Sequence, residues 1–126
     1  MGVAGRAKLV ADDWRDPSWA DRLAGPFDLV VSNPPYVAAT AIDGLMPEVA
    51  RFEPRIALDG GPDGLAAYRA IVAASSKLIT RGGWLAAEAG EGQAPEIARL
   101  FAAAGLAPKA PWKDLGGIER VVAASY

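Results

Sequence analysis

Apolar positions along this chain fall into short blocks that alternate between the period of a strand and the period of a helix. Residues 7–11 (AKLVA) form an apolar run closed by Asp12-Asp13, and residues 27–32 (FDLVVS) form a β-branched run closed by Asn33-Pro34-Pro35. Both patterns predict buried strands with polar residues at their carboxyl ends. Between them, residues 15–23 predict a short helix, stopped by Gly25-Pro26. Further on, Leu65, Tyr68, Ile71, Val72, Ser75, Leu78 and Ile79 recur at helical spacing, with Asp63 placed to cap the helix and Arg81-Gly82-Gly83 to end it. Residues 84–89 predict a strand, and residues 95–104 a helix with Pro95 at its start and Gly105 just past its end. The last segment offers two strands, residues 109–113 and 120–125, joined around Asp114-Leu115-Gly116-Gly117 as an antiparallel hairpin. Strands alternating with helices predict an α/β fold whose sheet is mostly parallel, with the hairpin at one edge.

Residues 37–62 break this rhythm. Their polarity is mixed and Gly44, Pro47, Pro54 and Gly60-Gly61 punctuate them, so the expectation is a long irregular segment with at most a helical turn over residues 45–52. Irregular segments of this length inside a compact domain are usually functional, and this one leaves directly from a strand end, which makes it a candidate lid.

Composition narrows the chemistry. At 126 residues, 52% of them hydrophobic, the chain suffices for one domain with one core. Thirteen basic against fifteen acidic side chains leave a formal charge of −2, which predicts no broad basic surface for nucleic acid. The absence of cysteine and histidine removes disulfides, thiolate or imidazole metal sites, cysteine nucleophiles and Ser-His triads from this chain. The richest apolar stretch, residues 65–79, is interrupted by Tyr68, Arg69, Ser75, Ser76 and Lys77 and does not read as a membrane span. The opening MGVAGRAKLV does not read as a signal peptide, so the expected location is the cytoplasm.

The most specific signal is Asn33-Pro34-Pro35-Tyr36 after the strand FDLVVS. A planar amide or aromatic amine is a poor nucleophile because its lone pair is delocalised, so an enzyme that alkylates it must grip the NH2 group and orient it. An asparagine side-chain oxygen and a main-chain carbonyl are acceptors for its two N–H bonds. Consecutive prolines fix φ and carry no N–H, which stiffens the carbonyl between them, and Tyr36 offers a flat wall. The competing reading of Asn-Pro-Pro is a stiff turn closing a strand. Position weighs against it, because open α/β sheets bind ligands at the carboxyl ends of their strands.

A strand followed by Asn33-Pro34-Pro35-Tyr36 resembles the fourth motif of the amino methyltransferases. Val49 with Phe52-Glu53-Pro54, Ala57-Leu58, Gly60-Gly61, Asp63-Gly64-Leu65 and Tyr68-Arg69-x-Ile71 resemble the conserved stretch of the HemK/PrmC family, the release factor glutamine methyltransferases. Glu88-x-Gly90 with Gln93, and Lys113-Asp114-Leu115-x-Gly117 with Arg120-Val121, are similar to its later motifs. The resemblance runs from about Val3 to the last residue, and implies a partial Rossmann-like class I methyltransferase sheet. It implies S-adenosylmethionine as cofactor, no metal, and as partner and substrate the Gly-Gly-Gln glutamine of peptide chain release factors. Asn33, Pro34 and Tyr36 would then be catalytic, Asn33, Pro34, Pro35 and Tyr36 would bind substrate, and Asp13, Trp14 and Asn33 would bind cofactor.

Alternatives stand beside several of these roles. Trp14 either flanks the adenine or packs under the following helix, and Asp12 competes with Asp13 for the polar role. Glu53-Pro54 and residues 60–65 either shape the substrate side or form a glycine-anchored surface loop. Gly90-Glu91-Gly92 begins a dinucleotide fingerprint, but Pro95 stands where its third glycine belongs. A second enzyme reading keeps the motif and changes the acceptor to adenine in nucleic acid or to a glutamine of a ribosomal protein; the low net charge and residues 53–69 argue against nucleic acid.

The family sheet has order 3-2-1-4-5-7-6 with strand 7 antiparallel. Its donor site depends on a glycine-rich loop after strand 1 and an acidic residue after strand 2, and neither precedes the first strand here. The expectation is therefore the C-terminal portion, residues 1–126, of a single methyltransferase domain that by itself binds the donor poorly. Strand 27–32 would lose a neighbour, leaving an edge that a longer chain, the 7–11 strand or a second copy in a homodimer would cover.

Overall fold

The structure, a computed structural model, describes residues 4–38 and 60–126. The expected helical turn over residues 45–52, the candidate lid, and Val49, Phe52, Glu53, Pro54, Ala57 and Leu58 lie outside the described residues.

One open sheet carries the fold. Strand β1 (Phe27–Ser32) pairs in parallel with β2 (Ile79–Glu88), and β2 pairs antiparallel with β5 (Glu119–Ser125). Two short strands, β3 (Ala107–Pro108) and β4 (Trp112–Lys113), also run antiparallel to β5. The order β1-β2-β5-β3 reproduces the 4-5-7-6 half of the sheet that the family resemblance implied, with the last strand inserted between its neighbours.

Helix α1 (Ala66–Leu78) and helix α2 (Ala94–Ala103) cover one face of this sheet. Tyr68, Ile71, Ala74, Ser75 and Leu78 repeat every three or four residues, so α1 turns one apolar stripe inward. Ala94, Ile97 and Phe101 do the same for α2. They meet Leu85, Ala87, Val122 and Ala124, which the period of two in β2 and β5 places on the same side. Asp63 accepts the Leu65 N–H at 3.1 Å and pairs with Arg69, which closes the turn leading into α1.

The other face is apolar and uncovered among the described residues. Leu29 and Val31 are 59% and 72% exposed, and Trp84, beside Leu29, is 37% exposed under the Lys109 ammonium, 5.8 Å from its ring. The outer edge of β1 has no strand partner among the described residues.

Several expectations need correction. Residues 7–11 form no strand, and Leu9 is 99% exposed, because among the described residues no neighbouring strand is present to satisfy that backbone. The helix expected over residues 15–23 is reduced to a 3-10 turn at Trp19–Arg22, since the Asp16 carboxylate takes the Ser18 N–H at 3.0 Å in competition with helical bonding. Arg81-Gly82-Gly83 does not end α1. The helix stops at Leu78, the β-branched Ile79 enters the core as the first residue of β2, and pairing jumps from Phe27↔Ile79 to Leu29↔Trp84 across an irregularity. The hairpin forms, but its first strand is confined to β4, with Pro111, which has no N–H to give, just ahead of it.

Phe101 is fully buried, so Phe101→Ala should lower the unfolding free energy by about 3–5 kcal/mol, while the fully exposed Leu115→Ser should change it by less than about 0.5 kcal/mol, both read from urea denaturation. The Arg69 guanidinium, followed by the Leu65 N–H, holds the Asp63 carboxyl down at about 2. A depressed carboxyl contributes its stability above the unfolded value near 3.8 and loses it as pH falls through about 2. NMR titration should place the Asp63 midpoint there, and Arg69→Ala should raise it toward the ordinary carboxylate range.

Candidate functional site

The carboxyl ends of β1 and β2 lie level, with Ser32 opposite Ala87. Asn33-Pro34-Pro35-Tyr36 leaves β1 at this point, and Gly90 to Gln93 connects β2 to α2 beside it. Asn33 is exposed and its side chain makes no hydrogen bond to another described residue, so its carboxamide is open at the strand tip. Pro34 is buried, while Pro35 and Tyr36 are half-buried, and Tyr36 packs against the core cluster. The motif thus holds Pro34 inside the protein, leaves Pro35 and Tyr36 partly accessible and keeps Asn33 exposed.

A cleft of about 300 Å3 opens next to this tip. Ser32 and Pro34 bound it on the strand side, Ala67 and Ile71 of α1 form its floor, and Val10, Asp12, Trp14, Trp19 and Leu23 close it. Of the residues expected to bind the donor, Trp14 lines the cleft, whereas Asp13 and Asn33 do not; Asp12, the competitor of Asp13, lines it. Trp19 and Leu23 pack on the core cluster and Trp14 is not among them, so its half-buried ring serves as wall rather than as core. Trp14 also borders a second cleft of about 340 Å3 on its far side, facing Ala70, Ala73 and Lys77 of α1.

Ion pairs lock this N-terminal segment. Arg22 bridges Asp12 at 2.6 Å and Asp16 at 2.9 Å, and Lys77 reaches Asp21 at 2.7 Å, which ties the segment to α1. Asp13 is engaged by Arg15 at 2.6 Å. The Arg15 guanidinium and N–H hold the Asp13 carboxyl at about 2, and the Arg22 guanidinium lowers that of Asp12, so both are carboxylates at neutral pH. An aromatic ring with a carboxylate at its margin suits a nucleoside, whose base stacks and whose hydroxyls or amino group donate. These residues fit that part of S-adenosylmethionine.

The loop is braced from its other side by Gln93 and by the glycines around Tyr36. The Gln93 amide donates to the Tyr36 carbonyl at 2.9 Å and accepts the Gly90 N–H at 3.0 Å. The Val37 carbonyl accepts the Gly60 N–H at 2.8 Å. At Gly64, with φ of +79°, a Cβ would collide with the Tyr36 carbonyl, and at Gly90 one would stand 2.6 Å from the Tyr36 ring. Tyr68, wholly buried, donates its hydroxyl to the Glu88 carbonyl at 2.5 Å at the end of β2, and burial pushes its phenol well above the usual range. Asp114 accepts the N–H groups of Gly116 and Ile118 and pairs with Arg120, whose carbonyl accepts the Ala89 N–H at 2.7 Å. Spacing alone could have flagged Gln93, three residues after Gly90 in the N-cap position of α2. Its partner at Tyr36 is visible only in the fold. Among the described residues no cluster of His, Cys, Asp or Glu could hold a metal ion, and no helix is long and apolar enough to cross a membrane.

No protein-family model matches the chain. It is 48% identical over 124 residues to a release factor glutamine methyltransferase of Rhodospirillum rubrum, covering 98% of this chain and 37% of that protein. A release factor glutamine methyltransferase of Bradyrhizobium diazoefficiens is 46% identical over 125 residues, covering 98% of this chain and 40% of that protein. The crystal structure of a release factor-specific protein-(glutamine-N5) methyltransferase from Alicyclobacillus acidocaldarius superposes with a TM-score of 0.52 at 32% identity, covering 84% of this chain and 52% of that one. The chain thus spans about two fifths of the length of these curated relatives. Over the stretch that it spans, it belongs to the release factor glutamine methyltransferase family.

Proposed function

We propose that the protein, acting in the cytoplasm, moves a methyl group from S-adenosylmethionine to the side-chain amide nitrogen of the glutamine in the Gly-Gly-Gln loop of peptide chain release factors. The observation that carries this reading is an exposed carboxamide at the tip of β1, on a loop stiffened by two prolines, beside a cleft walled by Trp14. The donor, when bound, supplies an electrophilic methyl group on a sulfonium. The Asn33 side-chain oxygen and the Pro34 carbonyl accept the two N–H bonds of the substrate amide, which holds its plane and turns the nitrogen toward the methyl group. Pro35 and Tyr36 pack against the flat substrate group. As the nitrogen–methyl bond forms, the methyl–sulfur bond would break and leave a neutral thioether; the nitrogen then loses a proton to solvent, and the neutral methylamide leaves. Trp14 flanks the adenine, with Asp12 at the cleft margin and Asp13 fixing the adjoining turn through Arg15.

Asn33→Ala in the complete protein should reduce methyl transfer to a release factor by about a hundredfold or more, the usual scale for an oriented hydrogen-bonding group at a reacting centre. Labelled donor offered with release factor, ribosomal proteins and nucleic acid in parallel checks both the magnitude and the acceptor. Undiminished transfer in the variant removes the role of Asn33, and label entering adenine or a ribosomal protein moves the substrate assignment.

The open edge of β1 and its exposed Leu29 and Val31 favour a second reading for the 126-residue chain on its own, a non-catalytic unit that pairs edge to edge with a second copy. Sizing chromatography with calorimetry on this chain should then give a dimer that takes up little or no donor. A monomer binding S-adenosylmethionine at micromolar concentration would eliminate it.

A further inference from the structure

The four residues from Asn33 to Tyr36 behave as a strut, because Pro34 and Pro35 fix φ and leave few backbone torsions between the exposed amide and the Tyr36 carbonyl. Whatever anchors the Tyr36 end therefore sets the aim of the Asn33 end. That anchor is Gln93. Its Nε2 donates to the Tyr36 carbonyl at 2.9 Å and its Oε1 accepts the Gly90 N–H at 3.0 Å, linking residues 57 positions apart. Only this orientation of the amide is chemically allowed, since a carbonyl can only accept and a main-chain N–H can only donate.

Gln93 occupies the N-cap position of α2, where a polar side chain ordinarily turns back to the helix N–H groups, yet it makes no such bond. The space around the bridge is cleared by glycine on both sides: a Cβ at Gly64 would stand 2.8 Å from Nε2, and one at Gly90 would stand 2.6 Å from Oε1. A side chain withdrawn from helix capping and given a glycine-walled slot against Tyr36 is placed to hold the loop.

We propose that Gln93 is a positioning residue for methyl transfer: its carboxamide fastens Tyr36 to the tip of β2, and the alignment of Asn33 and the Pro34 carbonyl on the substrate amide depends on that fastening. This rests on the functional reading above. Gln93 does not touch the substrate, so its loss acts on the rate of transfer more than on substrate capture.

The test uses the complete protein. Gln93→Ala should lower kcat about tenfold with KM for the release factor within about twofold, the effect of one lost bridging contact on transition-state alignment. Gln93→Glu keeps the shape but sets a carboxylate against the Tyr36 carbonyl. Its kcat relative to the unsubstituted protein should fall at about pH 8 and recover as pH drops toward about 4–5, where a carboxyl facing the Tyr36 carbonyl takes up the proton it needs to donate again. Hydrogen exchange at the Gly90 amide, read without substrate, should be faster in Gln93→Ala. An unchanged kcat in Gln93→Ala, or a flat pH ratio in Gln93→Glu, overturns the positioning role and leaves the methyltransferase reading intact. Failure of the unsubstituted protein to methylate any glutamine acceptor overturns that reading and the proposal together.

Discussion

Leu29, Val30, Val31 and Ser32 lie in parallel register with Trp84, Leu85, Ala86 and Ala87, and this pairing fixes where every candidate residue stands. Parallel strands carry their carboxyl ends to the same side, so the loop after β1 and the loop after β2 must meet. A slip by one residue would exchange the faces of β1, burying Leu29 and Val31 and exposing Val30. The register is held by the helices: Leu85 and Ala87 are buried beneath α1 and α2, which leaves β2 one choice of face. The site inherits its geometry from this packing.

Around that junction the chain places few charges and many main-chain contacts. Tyr36 is gripped by Gln93, and the Gly60-Gly64 turn and Gly90 press against it. Charged groups are concentrated instead on the segment carrying Trp14, where Arg22, Arg15 and Lys77 each find an aspartate. These pairs are largely exposed and each contributes little to stability. They order a segment that has no strand or long helix of its own.

The chemistry proposed for the strand tip follows from the same economy of charge. A planar amide nitrogen needs orientation more than it needs a strong base, and two fixed acceptors supply orientation. In the proposal Asn33, which is exposed, would provide one, and Pro34, whose ring is buried, would provide the other. In that proposal Tyr36 would offer a flat surface to the substrate and Trp14 one to the donor.

What the sequence settled by itself was local and periodic. Helical spacing of Tyr68, Ile71 and Leu78, the β-branched run 27–32, Pro95 in the first turn of α2 and the turn at Asp114 each depend on neighbours within a few positions, so pattern reading finds them. Asn33-Pro34-Pro35-Tyr36 was legible for the same reason, since its stiffness is written in its own covalent structure. Pattern reading misplaced the strand at residues 7–11, because an apolar run becomes a strand only when a neighbour accepts its hydrogen bonds. It likewise took Arg81-Gly82-Gly83 for a helix end, where packing of Ile79 had already started β2. The grip of Gln93 on Tyr36, and the facing of Asp12 rather than Asp13 into the cleft beside Trp14, join residues far apart in the chain or choose between adjacent ones. Only tertiary structure decides such matters, because no local preference encodes a distance across 57 residues.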